Sequence, residues 1–148
     1  MSALVVMAAT AAALGAAPRP AMYGLWTATV GSATSPTVFH GKWSAQALPS
    51  SPNSVIGSWA LLSDGGETTM QGTWSGKRSG RAWRGTWQAK VQPSGGTLSG
   101  TWQAVLPGDF HGRTFEDLLQ ATDHLQISGT WKSSGGAAGA WWLKPPAS

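Results

Sequence analysis

The sequence predicts an all-β fold: an antiparallel up-and-down meander of about eight strands, closed as a small barrel, with one short helix inserted before strand seven. Three observations predict it. The chain has ten Trp and twenty Gly against one Tyr and three Phe, a bias that marks a repeated local design rather than an average core. The unit Gly-x-Trp occurs eight times. Between the copies lie short Gly-containing stretches, the punctuation of hairpins, and loops this short cannot make parallel crossovers.

The N-terminal stretch comes first in chain order. Residues 2–17 carry no charge and end in small residues before Pro18. The run is shorter than the ~20 apolar residues of a spanning helix. It matches the apolar region of a secretory signal with an A-x-A-like cleavage context, although a basic start is missing. Residues 1–21 are therefore expected to be a signal peptide or a retained hydrophobic segment, and residues 22–148 a single β-domain. Either way the expected location is outside the cytoplasm, periplasmic or extracellular, and membrane-associated where the segment is retained.

The repeat runs from Gly24-Leu25-Trp26 through Gly41-Lys42-Trp43, Gly57-Ser58-Trp59 and Gly72-Thr73-Trp74. It continues with Gly85-Thr86-Trp87, Gly100-Thr101-Trp102, Gly129-Thr130-Trp131 and Gly139-Ala140-Trp141. The first six Trp are spaced 17, 16, 15, 13 and 15 residues apart, and the next gap is 29. Near-constant spacing over so many copies is internal repetition. Inside each copy the period is two. Leu98, Gly100, Trp102 and Ala104 share one face, while Ser99, Thr101 and Gln103 share the other, the pattern of a half-buried strand. The expected structural core is thus Trp26, Trp43, Trp59, Trp74, Trp87, Trp102, Trp131 and Trp141. Gly two residues before Trp leaves a hole in the same side-chain layer, which an indole from a neighbouring strand can cover. The expected turns are Ser63–Gly66, Lys77–Gly80, Gln92–Gly96 and Lys132–Gly136. Eight strands suffice to close a barrel, and a twisted open sheet covered by a partner is the alternative.

The long gap holds the helical candidate, residues 114–123. Thr114 can cap its start, Glu116 and Asp117 suit the first turn, and Phe115, Leu118, Leu119 and Thr122 form an apolar stripe. The expected role is to plug a barrel end or cover an edge, or else to bind a partner.

With Cys absent, disulfides, thiolate metal sites and C-x-x-C-H haem attachment are excluded. The net charge of +4 is uneven. Lys77, Arg78, Arg81, Arg84 and Lys90 lie in a stretch without acids. Asp109, Glu116, Asp117 and Asp123 follow. The split is read as two solvated faces or as steering for an anionic partner. Arg78, Arg81, Arg84 and Trp142 are the candidate partner contacts. Trp142 falls opposite Trp141 and is expected to be exposed beside Lys144. Trp83 and Trp87 share the core face, so they do not form a stacking platform, and nucleic acid is not expected.

His40, His111 and His124 show no metal-ligand spacing, and no G-x-S-x-G elbow or phosphate loop occurs. No cofactor and no metal are expected. The hydrolase candidates are the acids and histidines of the 109–124 insert, among them His111, Asp123 and His124, with Glu67 as a further carboxylate that could pair with the insert's acids in a glycosidase dyad.

The Gly-Thr-Trp copies, above all Leu98–Trp102 and Ile127–Trp131, resemble the strand repeats of exported bacterial β-proteins of unknown function. More distantly, the first-strand Gly-x-Trp and the late Trp141-Trp142-Leu143-Lys144 are similar to the avidin family, an eight-stranded barrel. The avidin C-terminal Val-Gly-x-Asp-x-Phe-Thr stretch is absent, and no ligand residue is carried over. The expected function is a non-catalytic exported binding or structural module, an accessory subunit docked on a membrane protein complex. The alternatives are a small-ligand barrel of avidin or lipocalin type and a hydrolase using the insert.

Overall fold

A computed structural model describes residues 22–32, 34–48, 51–80, 82–105, 117 and 127–144. Eight strands form a closed antiparallel barrel in sequence order. They are β1 (Met22–Val30), β2 (Thr37–Leu48), β3 (Ser51–Leu62), β4 (Thr68–Ser79), β5 (Ala82–Val91), β6 (Thr97–Val105), β7 (Ser128–Ser133) and β8 (Ala138–Lys144). Closure is made by β1 against β8, over Leu25↔Lys144 to Ala28↔Trp141. It leaves no sheet edge to cover.

The barrel has two distinct ends. Turns 31–36, 63–67, 92–96 and 134–137 lie at one, here the turn end. Connections 49–50, 80–81 and 106–127 lie at the other, the insert end, where the chain also joins β1 and leaves β8. No helix stands among the elements with defined bounds, so the expected helix over 114–123 is not supported; that stretch lies outside the described residues except for Asp117, whose backbone is helical. The basic turn is also tighter than expected. Lys77, Arg78 and Ser79 belong to β4, and β5 resumes at Ala82.

One rule organises the interior. In each repeat unit Gly precedes Trp by two residues, but strand direction alternates. In odd strands Trp therefore sits nearer the turn end than its Gly, and in even strands nearer the insert end. The register makes the pairs reciprocal. Gly24 faces Trp43 while Trp26 faces Gly41. Gly57 faces Trp74 while Trp59 faces Gly72. The same exchange joins β5 to β6 and β7 to β8. Between these four hairpins, Trp meets Trp at Trp43↔Trp59, Trp74↔Trp87 and Trp102↔Trp131. The closing seam departs from this, pairing Trp26 with Leu143 and Trp141 with Ala28.

The indoles consequently stack in two layers, as side chains from alternate strands do in other barrels. In the odd-strand layer, Trp26–Trp59, Trp59–Trp87 and Trp87–Trp131 meet edge to face at 5.8, 6.0 and 6.2 Å. In the even-strand layer, Trp74–Trp102 and Trp102–Trp141 do so at 5.6 and 5.9 Å. Such pairs add about 0.5–1.5 kcal/mol beyond area burial. Several indoles cross a neighbouring Gly and donate to a carbonyl on the strand beyond. Trp74 Nε1 reaches Ser44 O at 3.1 Å, Trp102 Nε1 reaches Ser75 O at 2.9 Å, and Trp131 Nε1 reaches Thr29 O at 3.0 Å. A methyl group on Gly57 would overlap both Trp74 and the Ser44 carbonyl, so the hole is required.

The deepest packing lies at the insert end, where Trp43, Ala45, Val55, Trp83, Ala104 and Ile127 form a buried cluster. Trp26, Trp74, Trp102 and Trp141 pack against it.

Candidate functional site

The lumen is lined by apolar side chains and offers little chemistry. Trp43, Trp59 and Trp87 have buried Nε1 atoms without hydrogen-bond partners. For Trp59 and Trp87 the edge-to-face ring contacts supply the surroundings, and N–H groups interact weakly with aromatic faces. Among the described residues no group of three or more His, Cys, Asp or Glu could hold a metal. His40 is occupied locally, with Nδ1 at 3.3 Å from Thr27 Oγ1. His111, Asp123 and His124 lie outside the described residues, so the hydrolase reading has no described geometry.

The outward face carries the polar groups. Ser, Thr, Gln and Lys alternate with the lumen residues on β4 to β6 and over part of β2 and β3, where Val38 and Ile56 are exposed among them. This is the inverse of an outer-membrane barrel, whose outward band is apolar.

Two features stand out on that surface. The first is the β4–β5 hairpin at the insert end. Lys77 and Arg84 are exposed and directly opposite each other. Their strand-register neighbours, Ser54 and Gln103, are uncharged. Like charges directly opposite destabilise a strand pair, so this feature works against the fold unless a partner compensates it. Of the candidate contacts named from sequence, Arg84 is thus placed on the surface. Arg78 has the opposite parity; it is half-buried, registers with Trp83, and its Nε donates to Gly80 O at 3.1 Å. Arg81 lies outside the described residues. Trp142 is half-buried rather than exposed. It registers between Thr27 and Ser128, and Thr27 is itself only 2% exposed.

The second feature was not apparent from sequence. A depression of about 960 Å³ runs obliquely around the outside from β1 to β6. One wall is a single registered row: Tyr23, Ser44, Ser58, Thr73, Gln88 and Ser99. The other is the next outward row: Lys42, Ala60, Gln71, Lys90 and Thr97. Its floor is the intervening row of lumen-facing residues, Trp43, Trp59, Gly72, Ala89 and Leu98, which present backbone outward. Tyr23 is 74% exposed at one end. Among the described residues the walls contain two ammonium groups and no carboxylate. Only the register brings together residues up to 76 positions apart, from Tyr23 to Ser99.

No protein-family model and no curated protein matches the chain. Among solved structures, a redesigned β-barrel is similar in fold, with a TM-score of 0.54 and 14% identity over 84% of this chain and 90% of that one. At that identity the likeness concerns the fold alone.

Proposed function

We propose that the chain is a non-catalytic exported binding module, an accessory subunit that docks on a membrane protein complex through the insert end of its barrel. The observation that carries this reading is the use of the lumen. Two layers of Trp occupy the space that a ligand or a catalytic group would need, and polar contacts are left to the outside. The insert end is favoured because three features converge there. The exposed Lys77–Arg84 pair lies at that end. The chain joins β1 there, so the uncharged segment 2–17 is attached at the same place. The acid-bearing 106–126 connection starts and finishes there as well. A small-ligand barrel of avidin or lipocalin type is the weaker reading, because the Trp layers take its pocket.

Fractionation of gently solubilised host membranes, with the chain followed by mass spectrometry, tests the proposal. Co-migration with a large complex, with residues 1–17 retained, is the expected result. A free soluble protein beginning near Pro18 overturns docking through this end.

A further inference from the structure

We propose that the oblique groove on β1–β6 is a binding site for an acidic linear polysaccharide, one that carries carboxylates on successive sugar units. This goes beyond the docking proposed above, because the groove lies along the barrel wall and includes neither Lys77 nor Arg84.

The groove's length, chemistry and charge all point to this class. Five strand spacings of ~4.8 Å separate Tyr23 from Ser99, so the wall is about 24 Å long. A trough of that length suits an extended polymer better than a compact metabolite. The walls are rich in groups that hydrogen-bond to sugar hydroxyls. Gln71, Thr73 and Gln88 are exposed, and none has a side-chain hydrogen bond within the described protein. Ser44 and Ser58, which bond each other at 2.7 Å, add acceptor and donor capacity midway along. Tyr23, largely exposed, offers a flat apolar face with a polar tip at one end, a side chain suited to lying against a pyranose ring.

The sign of the ligand follows from the lysines. Lys42 and Lys90 stand in the same row, linked by Lys42↔Ala60, Ala60↔Gln71 and Gln71↔Lys90. Three strand spacings put them about 14 Å apart. Among the described residues neither is tied to a carboxylate, and no acid lines the groove. A neutral glycan would leave both ammonium groups without a counter-charge. An acidic chain of several sugar units can reach both lysines across that backbone separation.

Calorimetry and affinity electrophoresis of the full chain with alginate, a polyuronate, and with dextran, a neutral polymer, test this. Alginate is expected to bind and to weaken as salt rises. The Lys42→Ala/Lys90→Ala variant is expected to bind at least about ten-fold more weakly, as loss of a charge-assisted contact implies. Tyr23→Ala is expected to weaken binding without changing its salt dependence. Lys77→Ala/Arg84→Ala, on the hairpin outside the groove, is expected to bind as the parent does. All five substituted positions are exposed, so the variants should keep the parent's Trp fluorescence and melting profile. Three results each overturn the proposal: no alginate binding by the parent, equal binding of dextran, or binding that survives loss of Lys42 and Lys90 but not of Lys77 and Arg84.

Discussion

At the insert end of the barrel Trp83 is 0% exposed, enclosed with Val55, Ala45, Ala104 and Ile127. At the turn end the inward positions Phe39, Leu61, Met70 and Val91 are only half-buried, and Leu98 is 44% exposed. The same repeat builds both ends, so the repeat does not account for the difference. Trp83 follows Arg81-Ala82 rather than Gly-x, and Val55 and Ile127 precede their Gly-x-Trp units by two residues. The repeat supplies the two Trp layers in the middle, and residues outside it seal one end. The sealed end is the one from which the N-terminal segment and the long connection emerge.

The sharpest way to break this asymmetry is to empty each end in turn. Trp83→Ala removes a fully buried indole and should cost about 3–5 kcal/mol, enough to threaten folding in so small a domain. Leu98→Ala at the opposite end should cost about 0.5 kcal/mol or less, because that side chain is already substantially in water. Urea unfolding of both variants provides the comparison. Equal losses would show that the two ends are packed alike.

A second substitution pair separates the middle from the turns. Gly57→Ala drives a methyl group into Trp74 and the Ser44 carbonyl that Trp74 hydrogen-bonds, and overpacking of this kind costs about 1–3 kcal/mol. Gly136→Ala meets no atom within 4 Å, but its φ of 95° is left-handed. Its cost should be backbone strain alone, about 1–2 kcal/mol. The two differ in coupling. Adding Trp74→Leu should recover part of the loss in Gly57→Ala and none of that in Gly136→Ala, a non-additivity that a double-mutant cycle reads directly. Additive behaviour at Gly57 would sink the account of its hole.

Period-two alternation and the recurring Gly-x-Trp made the strands and their lumen face legible in the sequence; the eight repeat indoles share the lumen parity, Trp43 buried and the other seven half-buried, while the most buried indole, Trp83, lies outside the repeat. The Gly hole covered by a neighbouring indole was legible too. The two-layer arrangement was not drawn from it, because layering depends on combining the fixed Gly-to-Trp order with alternating strand direction. The surface was less readable. Arg78 looked like a solvated loop cation, yet β4 continues through it, and parity turns it toward Trp83. Trp142 has the outward parity expected of it, but burial of its neighbour Thr27 shows that this part of the outer face is covered. The groove was invisible because its walls come from six strands, and nothing in a linear chain marks Lys42 and Lys90 as members of one row.

The smallest effect is the most direct test of whether the insert end is shaped for a partner. Lys77 and Arg84 face each other without an acid beside them in the register. If the isolated fold bears that repulsion, Lys77→Glu should stabilise the free protein by about 0.2–1 kcal/mol, since an opposed like-charge pair becomes an opposed unlike one. The gain should shrink as ionic strength rises, because both groups are exposed and their interaction is screened. Thermal melts of the two proteins in low and high salt measure it. The same substitution should weaken co-migration with the membrane complex. A surface that gains stability while losing its partner is one whose charges serve association rather than folding. A variant that melts like the parent at every salt concentration would show that the hairpin charges do not repel, and would remove them as an argument for docking at this end.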